Sequence, residues 1–335
     1  MKKLELNTKF ILPPNLDRKA GFEFEYSNVK LPIVASAFYK EYGGIIEMIN
    51  PYYYKLKNSR LGDFKFIIDA QFLVNSKLQD LVKKIGIEEF LPIDFIQKIE
   101  EFIALVGENL VPYEVTTPPI AFKDINEAQN IKEILRKLGA HGTKKSLLYA
   151  FGMHINIEAK SLDIKSILSD LRSYFTLYEF IYEWLKPDLT RRVSPYINPF
   201  DTEYILLILD KSYNPTMSEF IDDYITYNPT RNRSLDLLPL LSWIDEQRVR
   251  AKLPDEKISK RPTYHYRLPD SRVDEKDWCV CDGFNSWMLV ELLSKDSKSL
   301  DNLSQVALKY YSSSPLSILF KDELLEEINR WVESL

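Results

Sequence analysis

The chain of 335 residues has little cysteine, little glycine and little net charge. Its two cysteines, Cys279 and Cys281, are too few for a disulfide framework and lack the second pair of a zinc site. We interpret them as buried or incidental thiols, with a redox or metal pair as the alternative. Ten glycines and 18 prolines exclude a collagen-like or low-complexity chain. The net charge of −5 lacks the basic excess typical of nucleic-acid-binding proteins, so we predict no nucleic-acid partner.

Long apolar runs are absent as well. No window approaches the ~18 consecutive apolar residues of a membrane-spanning helix. Residues 1–5, Met-Lys-Lys-Leu-Glu, do not resemble the start of a signal peptide, which has an apolar core. Together with the scarcity of cysteine, these absences predict a cytoplasmic protein with no membrane partner.

Aromatic residues, in contrast, are abundant. They make up 13% of the chain, with 20 tyrosines and 18 phenylalanines, which indicates a folded protein with a sizeable core. Segments of alternating polarity cluster in the first half and return near residue 265. Segments of helical periodicity lie between them and include 75–107 and 201–246. This interleaving predicts one α+β domain over residues 1–335.

Four predicted strands place polar side chains on one face and apolar side chains on the other, because successive residues of a strand point to opposite faces. Solvated faces favour Lys, Ser and Thr, whereas these faces carry carboxylates and two of the three histidines of the chain. If the strands are neighbours, their carboxylates repel one another unless cations neutralise them, and such groups suit Mg²⁺ or Mn²⁺. The polar pairs are Glu23 with Glu25, Glu114 with Thr116, His154 with Asn156, and His265 with Arg267.

Six motifs follow one another along these segments. They are Gly21-Phe22-Glu23-Phe24-Glu25, Asp69 at the end of a strand, Tyr113-Glu114-Val115-Thr116-Thr117-Pro118-Pro119, Gly152-Met153-His154-Ile155-Asn156, Arg191-Arg192-Val193-Ser194-Pro195-Tyr196 and Thr263-Tyr264-His265-Tyr266-Arg267-Leu268. In this order they resemble the motifs of the amidoligase branch of the glutamine synthetase and glutamate–cysteine ligase superfamily.

The resemblance implies a fold, a reaction and cofactors. The implied fold is a curved, mostly antiparallel sheet flanked by helices, similar to the catalytic domain of glutamine synthetase. The implied activity is ATP-dependent ligation of a carboxylate to an amine through an acyl phosphate, with ATP and Mg²⁺ or Mn²⁺ bound inside the sheet. The implied partners are a small molecule or peptide that carries the carboxylate and an amine donor; a homo-oligomer is left open.

Carried over residue by residue, the resemblance also implies roles for side chains. The implied metal ligands are Glu25 and Glu114 on the substrate side, and Glu23, His154 and His265 on the nucleotide side. The implied catalytic groups are Glu25, Asp69, Arg267, and Arg191 or Arg192, which orient the amine or contact phosphates and carboxylates. Asn156 would hydrogen-bond the nucleotide. The polar loop 141–145 is either a solvated turn or a phosphate contact through Lys144 and Lys145.

The chain departs from the family pattern at three places. His265 stands where the family has Glu, Asn156 stands where it has a second His, and Asp69-Ala70-Gln71 lacks the usual serine. The stretch between Asp69 and Glu114 also includes a helical insertion near 75–107. These departures leave two alternatives open: a ligase fold that serves as a binding or interaction protein, and a metal-dependent amide hydrolase that activates water.

Overall fold

A computed structural model describes residues 10–68, 111–145, 150–192, 197–313 and 318–335. Within these residues, nine strands form one open sheet in which every pairing is antiparallel. The strands are β1 (Lys19–Tyr26), β2 (Ile45–Asn50), β3 (Tyr53–Ser59), β4 (Gly62–Ile68), β5 (Tyr113–Thr116), β6 (Ile120–Ala121), β7 (Met153–Glu158), β8 (Leu235–Asp236) and β9 (Thr263–Tyr266). Their spatial order is β2-β3-β4-β5-β1-β7-β9-β8, and β6 pairs with β1. The predicted α+β class with an antiparallel sheet is therefore confirmed.

Helices flank this sheet. They are α1 (Leu31–Tyr42), α2 (Asn126–Lys137), α3 (Ile164–Leu185), α4 (Leu189–Arg192), α5 (Thr202–Leu209), α6 (Met217–Tyr227), α7 (Leu238–Ile244), α8 (Glu246–Lys252), α9 (Val280–Lys295), α10 (Ser297–Ser312) and α11 (Ile318–Glu333). Short 3₁₀ turns cover Phe122–Asp124 and Thr143–Lys145. None of the helices in the described ranges combines the length and the apolar character that crossing a bilayer requires.

The core lies on one face of the central strands. In β1, Phe22, Phe24 and Tyr26 are completely buried, as the alternation of polarity predicts. Across the β1–β7 pairing, Phe22 lies opposite Ile155 and Phe24 opposite Met153, so the apolar faces of the two strands are continuous. The polar side chains of the same strands therefore share the opposite face.

Helices α3 and α9 cover this apolar face. Trp287 of α9 contacts the rings of Tyr264 and Tyr266 on β9, with centroids 4.7 and 5.9 Å apart. Helix α3 begins after Asp163, whose side chain accepts a hydrogen bond from Ser166 N, and ends at Lys186 in a left-handed conformation before Pro187. Both helices thus pack on the apolar face of the strands, and the polar face of the strands lies on the opposite side of the sheet.

Two features differ from the sequence-based expectations. Residues 201–246 contain α5, α6 and α7 but also the strand β8, which is too short to show a periodic pattern. Cys279 and Cys281 form a disulfide, so their interpretation as incidental thiols is wrong. Their Cα atoms are 5.0 Å apart, within the range that a disulfide spans.

Candidate metal centre

Strand register brings the predicted polar pairs together on one face of the sheet. Glu23 lies opposite Thr116 of β5 on one side and His154 of β7 on the other. Asn156 lies opposite His265 of β9. Because neighbouring strands are only about 4.8 Å apart, residues that are distant in sequence become direct neighbours.

Glu23, His154 and His265 form a buried cluster at the centre of this face. Glu23 Oε2 lies 3.1 Å from His154 Nδ1 and 3.4 Å from His265 Nε2. Glu23 Oε1 accepts a hydrogen bond of 2.8 Å from Asn156 Nδ2. The two imidazole rings meet edge to face, with centroids 5.2 Å apart. One carboxylate is therefore shared by two histidines and one amide.

The charges of this cluster are set by burial and by close neighbours. Burial would raise the pKa of the Glu23 carboxyl, but the charge of the nearby His265 and the hydrogen bond from His154 hold it well below its usual range. Burial lowers the pKa of the His154 imidazole to about 3, against the opposing effect of Glu23. At neutral pH the cluster thus presents an ionised carboxylate and an imidazole that resists protonation.

This donor set fits a divalent cation. One ligand atom from each of the three residues lies within 4.8 Å of the others. Among the described residues, His265 Nε2 and Asn156 Oδ1 are buried without a hydrogen-bond partner, whereas buried polar atoms are normally satisfied. Carboxylate oxygen and imidazole nitrogen are common ligands of Mn²⁺ and Zn²⁺, and carboxylates also bind Mg²⁺.

Glu25 and Glu114 lie beside this cluster, directly opposite each other on β1 and β5. Glu25 Oε2 accepts a hydrogen bond of 2.6 Å from Gly152 N, and Glu25 Oε1 lies 3.4 Å from His154 Nε2. Glu114 accepts a hydrogen bond of 2.6 Å from Thr116 Oγ1. The register thus places the two carboxylates of the predicted substrate-side metal next to each other; their ligation of an ion stays a prediction.

Gly152 allows the chain to pass close to the cluster. A Cβ atom at this position would lie 2.4 Å from Arg191 NH1 and 2.7 Å from His154 Nε2. Any side chain at Gly152 therefore displaces His154 or Arg191. A Cβ at Gly21, in contrast, would meet its nearest atom at 3.7 Å, which is ordinary contact.

The predicted arginines occupy different positions. Arg267 is buried beside the cluster, where its NH1 donates a hydrogen bond to the carbonyl of Arg231 and its charge opposes protonation of His154. Arg191 is buried too, but its guanidinium donates to the carbonyls of Ala150 and Arg267. Arg267 thus faces the cluster, whereas Arg191 holds the backbone around it.

The remaining predicted residues are outside the cluster. Lys144 and Lys145 form ion pairs with Glu275 and Asp274 at 3.0 and 3.7 Å, and both lysine side chains are more than half exposed. Asp69 and the predicted insertion near 75–107 lie outside the described residues, as does the side chain of Arg192.

Sequence reasoning missed three residues of this site. Asp236 of β8 is fully buried and lies opposite His265. Arg231 donates a hydrogen bond of 3.0 Å from Nε to Asp236 Oδ2. Arg261 NH2 lies 3.6 Å from Glu23 Oε1. No local pattern marks Asp236, whereas Arg261 ends a basic run before β9 (Arg248, Arg250, Lys252, Lys257 and Lys260) whose pattern predicts either a solvated loop or a phosphate contact.

Residues 16–289 match the model of the protein family described as "Putative amidoligase enzyme". The matched range includes every residue of the cluster and both strands that flank it. No curated protein and no solved structure gives a significant match to the chain.

Proposed function

Because the chain belongs to the amidoligase family, whose description points to a ligase-type enzyme, we propose that it is an ATP-dependent carboxylate–amine ligase. The observation that best supports this proposal is the buried cluster of Glu23, His154 and His265, with Arg267 and Arg261 around it. A site that combines divalent-cation ligands with arginines suits a metal-bound triphosphate and a carboxylate.

The proposed reaction has two steps. A substrate carboxylate oxygen attacks the γ-phosphorus of ATP, the bond from γ-phosphorus to the β–γ bridging oxygen breaks, and ADP leaves. The amine nitrogen then attacks the acyl carbon of the acyl phosphate, inorganic phosphate leaves with the C–O electron pair, and the nitrogen loses a proton to give the amide. The first step is needed because a carboxylate is a poor electrophile, whereas the acyl phosphate is a mixed anhydride with phosphate as a good leaving group.

Each residue of the site has a proposed role in this reaction. Glu23, His154 and His265 would hold a divalent cation, and Glu25 with Glu114 would hold a second one. When bound, such ions neutralise phosphate oxygens and orient donor and acceptor. Arg267 would stabilise the negative charge that develops during phosphoryl transfer. Asn156 is better placed than Lys144 or Lys145 to contact the nucleotide, because its amide lies at the cluster.

The proposed reaction also defines the chemical classes of the two substrates. The carboxylate belongs to an amino acid, a peptide or a protein side chain, and the second substrate supplies an amine. Glutamine synthetase-like curvature of the sheet and assembly into a homo-oligomer also stay part of the proposal.

The test is calorimetric titration of ATP into the protein with Mg²⁺ or Mn²⁺, with wild type beside Glu23→Ala. We expect metal-dependent binding that Glu23→Ala abolishes while its circular dichroism spectrum is retained. Glu203→Ala, on the exposed side of α5, is the matched control and is expected to bind like wild type. Binding of metal without nucleotide would favour the hydrolase alternative, and failure to bind either would favour an interaction protein.

A further inference from the structure

Asp236 is a buried carboxylate behind the metal cluster, on the side of His265 that faces away from Glu23. Its side chain is completely inaccessible to water. Its Oδ2 atom lies 3.4 Å from His265 Nδ1, and its Oδ1 accepts a hydrogen bond of 2.9 Å from Leu238 N. His265 is thus enclosed by carboxylates at both ring nitrogens, with Glu23 on the Nε2 side and Asp236 on the Nδ1 side.

We propose that Asp236 is a positioning residue that keeps a hydrogen on His265 Nδ1 and so leaves Nε2 to bind the cation. An imidazole that ligates a metal through one nitrogen usually donates its other N–H to a carboxylate or carbonyl, which fixes the ring and the tautomer. The unpartnered, buried Nε2 of His265 points to the same division of roles. The metal-binding part of this inference rests on the proposed function; the hydrogen position does not.

Arg231 could favour the other tautomer of His265, with the hydrogen on Nε2, because its NH2 lies 3.3 Å from His265 Nδ1. A guanidinium can only donate, so a bond from Arg231 would require Nδ1 to carry no hydrogen. The lone pair of Nδ1 would then face the buried Asp236 carboxylate, although this contact has hydrogen-bond geometry and the 3.4 Å contact of Nε2 with Glu23 does not. Arg231 is held in place by two other acceptors, because its Nε donates to Asp236 Oδ2 and its NH1 to the Lys257 carbonyl.

The hydrogen position is measured by ¹⁵N NMR of histidine-labelled protein, in which the three histidines give few signals and His265→Gln assigns one set. We expect wild type to carry a hydrogen on Nδ1, with and without metal. In Asp236→Asn, Oδ1 can still accept from Leu238 N, which turns the new amide N–H₂ toward Nδ1 and moves the hydrogen to Nε2. A hydrogen-free Nδ1 in wild type would overturn the proposal.

Two further variants separate the roles of the neighbours. Arg231→Met removes the competing donor and is expected to leave the hydrogen on Nδ1; its transfer to Nε2 would show that Arg231, not Asp236, orients the ring. Asp222→Asn changes another carboxylate that pairs with arginine, on the surface beside Arg248, and is expected to behave like wild type in every measurement.

Titration with Mn²⁺ alone gives the second readout. Loss of a carboxylate that orients a ligating histidine typically weakens metal binding by about 10–100-fold, and we expect this loss for Asp236→Asn. Unchanged Mn²⁺ affinity in this variant would contradict a positioning role toward the metal. If wild type itself fails to bind Mn²⁺ while its Nδ1 carries the hydrogen, the proposed metal site fails and the hydrogen assignment stands.

Discussion

The two faces of strands β1, β7 and β9 are both shielded from water, but they are built from opposite kinds of side chain. On one face, Phe24, Met153 and Tyr266 are completely buried, and the ring of Tyr266 packs against Tyr174 of α3 and Trp287 of α9. On the other face, His154 and His265 are only 6% and 4% exposed, yet they surround the Glu23 carboxylate. Burial of apolar groups stabilises a fold, whereas burial of charged groups costs free energy unless partners compensate it.

The difference shows which face serves stability and which serves binding. The apolar face follows the local rules of alternation and packing, and the hydroxyl groups of Tyr264 and Tyr266 on it are hydrogen-bonded to Asp170 and Ser286. The polar face violates them, since it concentrates carboxylates in a buried environment and leaves His265 Nε2 without a hydrogen-bond partner in the described chain. Proteins retain such violations mainly at functional sites.

Phe24→Ala gives the largest expected effect on the apolar face. The side chain is fully buried and stacks beside Phe22, so its removal leaves a cavity that should lower the free energy of unfolding by about 3–5 kcal/mol. Urea denaturation measures this change. Tyr39→Ala on α1, where the side chain is 48% exposed, is the control, and a comparable loss there would refute the comparison of faces.

Gly152→Ala tests the packing of the polar face. The added methyl group overlaps Arg191 NH1 and His154 Nε2, so we expect a loss of about 1–3 kcal/mol in stability and weaker Mn²⁺ binding. Gly21→Ala is the matched control, because the same methyl group would make only ordinary contacts there. Equal behaviour of the two variants would show that the close approach at Gly152 has no consequence.

The pH dependence of stability should reveal the buried imidazole. The pKa of His154 is about 3 in the folded protein and about 6.5 in the unfolded chain, so below pH 6.5 the unfolded chain binds one more proton. The free energy of unfolding should therefore fall as pH falls from about 6.5 toward 3, by about 1.4 kcal/mol per pH unit from this group. In the metal-free protein, His154→Gln should reduce the slope of the unfolding free energy against pH by the contribution of one proton. An unchanged slope would show that another group causes the pH dependence.

Lys144→Ala should have the smallest effect. The side chain pairs with Glu275 at the surface, and such exposed ion pairs contribute at most about 1 kcal/mol. Thermal unfolding should thus be nearly unchanged. ATP titration of this variant decides between the two interpretations of loop 141–145, since only a phosphate contact would lose affinity.

The sequence predicted the faces of individual strands well and their assembly less well. The alternation around Glu23 and Glu25 revealed both faces of β1, because period-two polarity is a local property. The contact between Glu23 and His265 depends on strand order across more than 200 residues, and only the family resemblance indicated it. Asp236 escaped notice because a two-residue strand has no period, and its role depends entirely on its neighbour across the sheet.

The most direct test of the central claim is an anomalous difference map from crystals grown with Mn²⁺. We predict one peak bonded to a Glu23 oxygen, to a His154 nitrogen and to His265 Nε2, and its disappearance in Glu23→Ala crystals. A well-ordered site with no peak between these three residues, at saturating Mn²⁺, would contradict the assignment of this face as a metal centre.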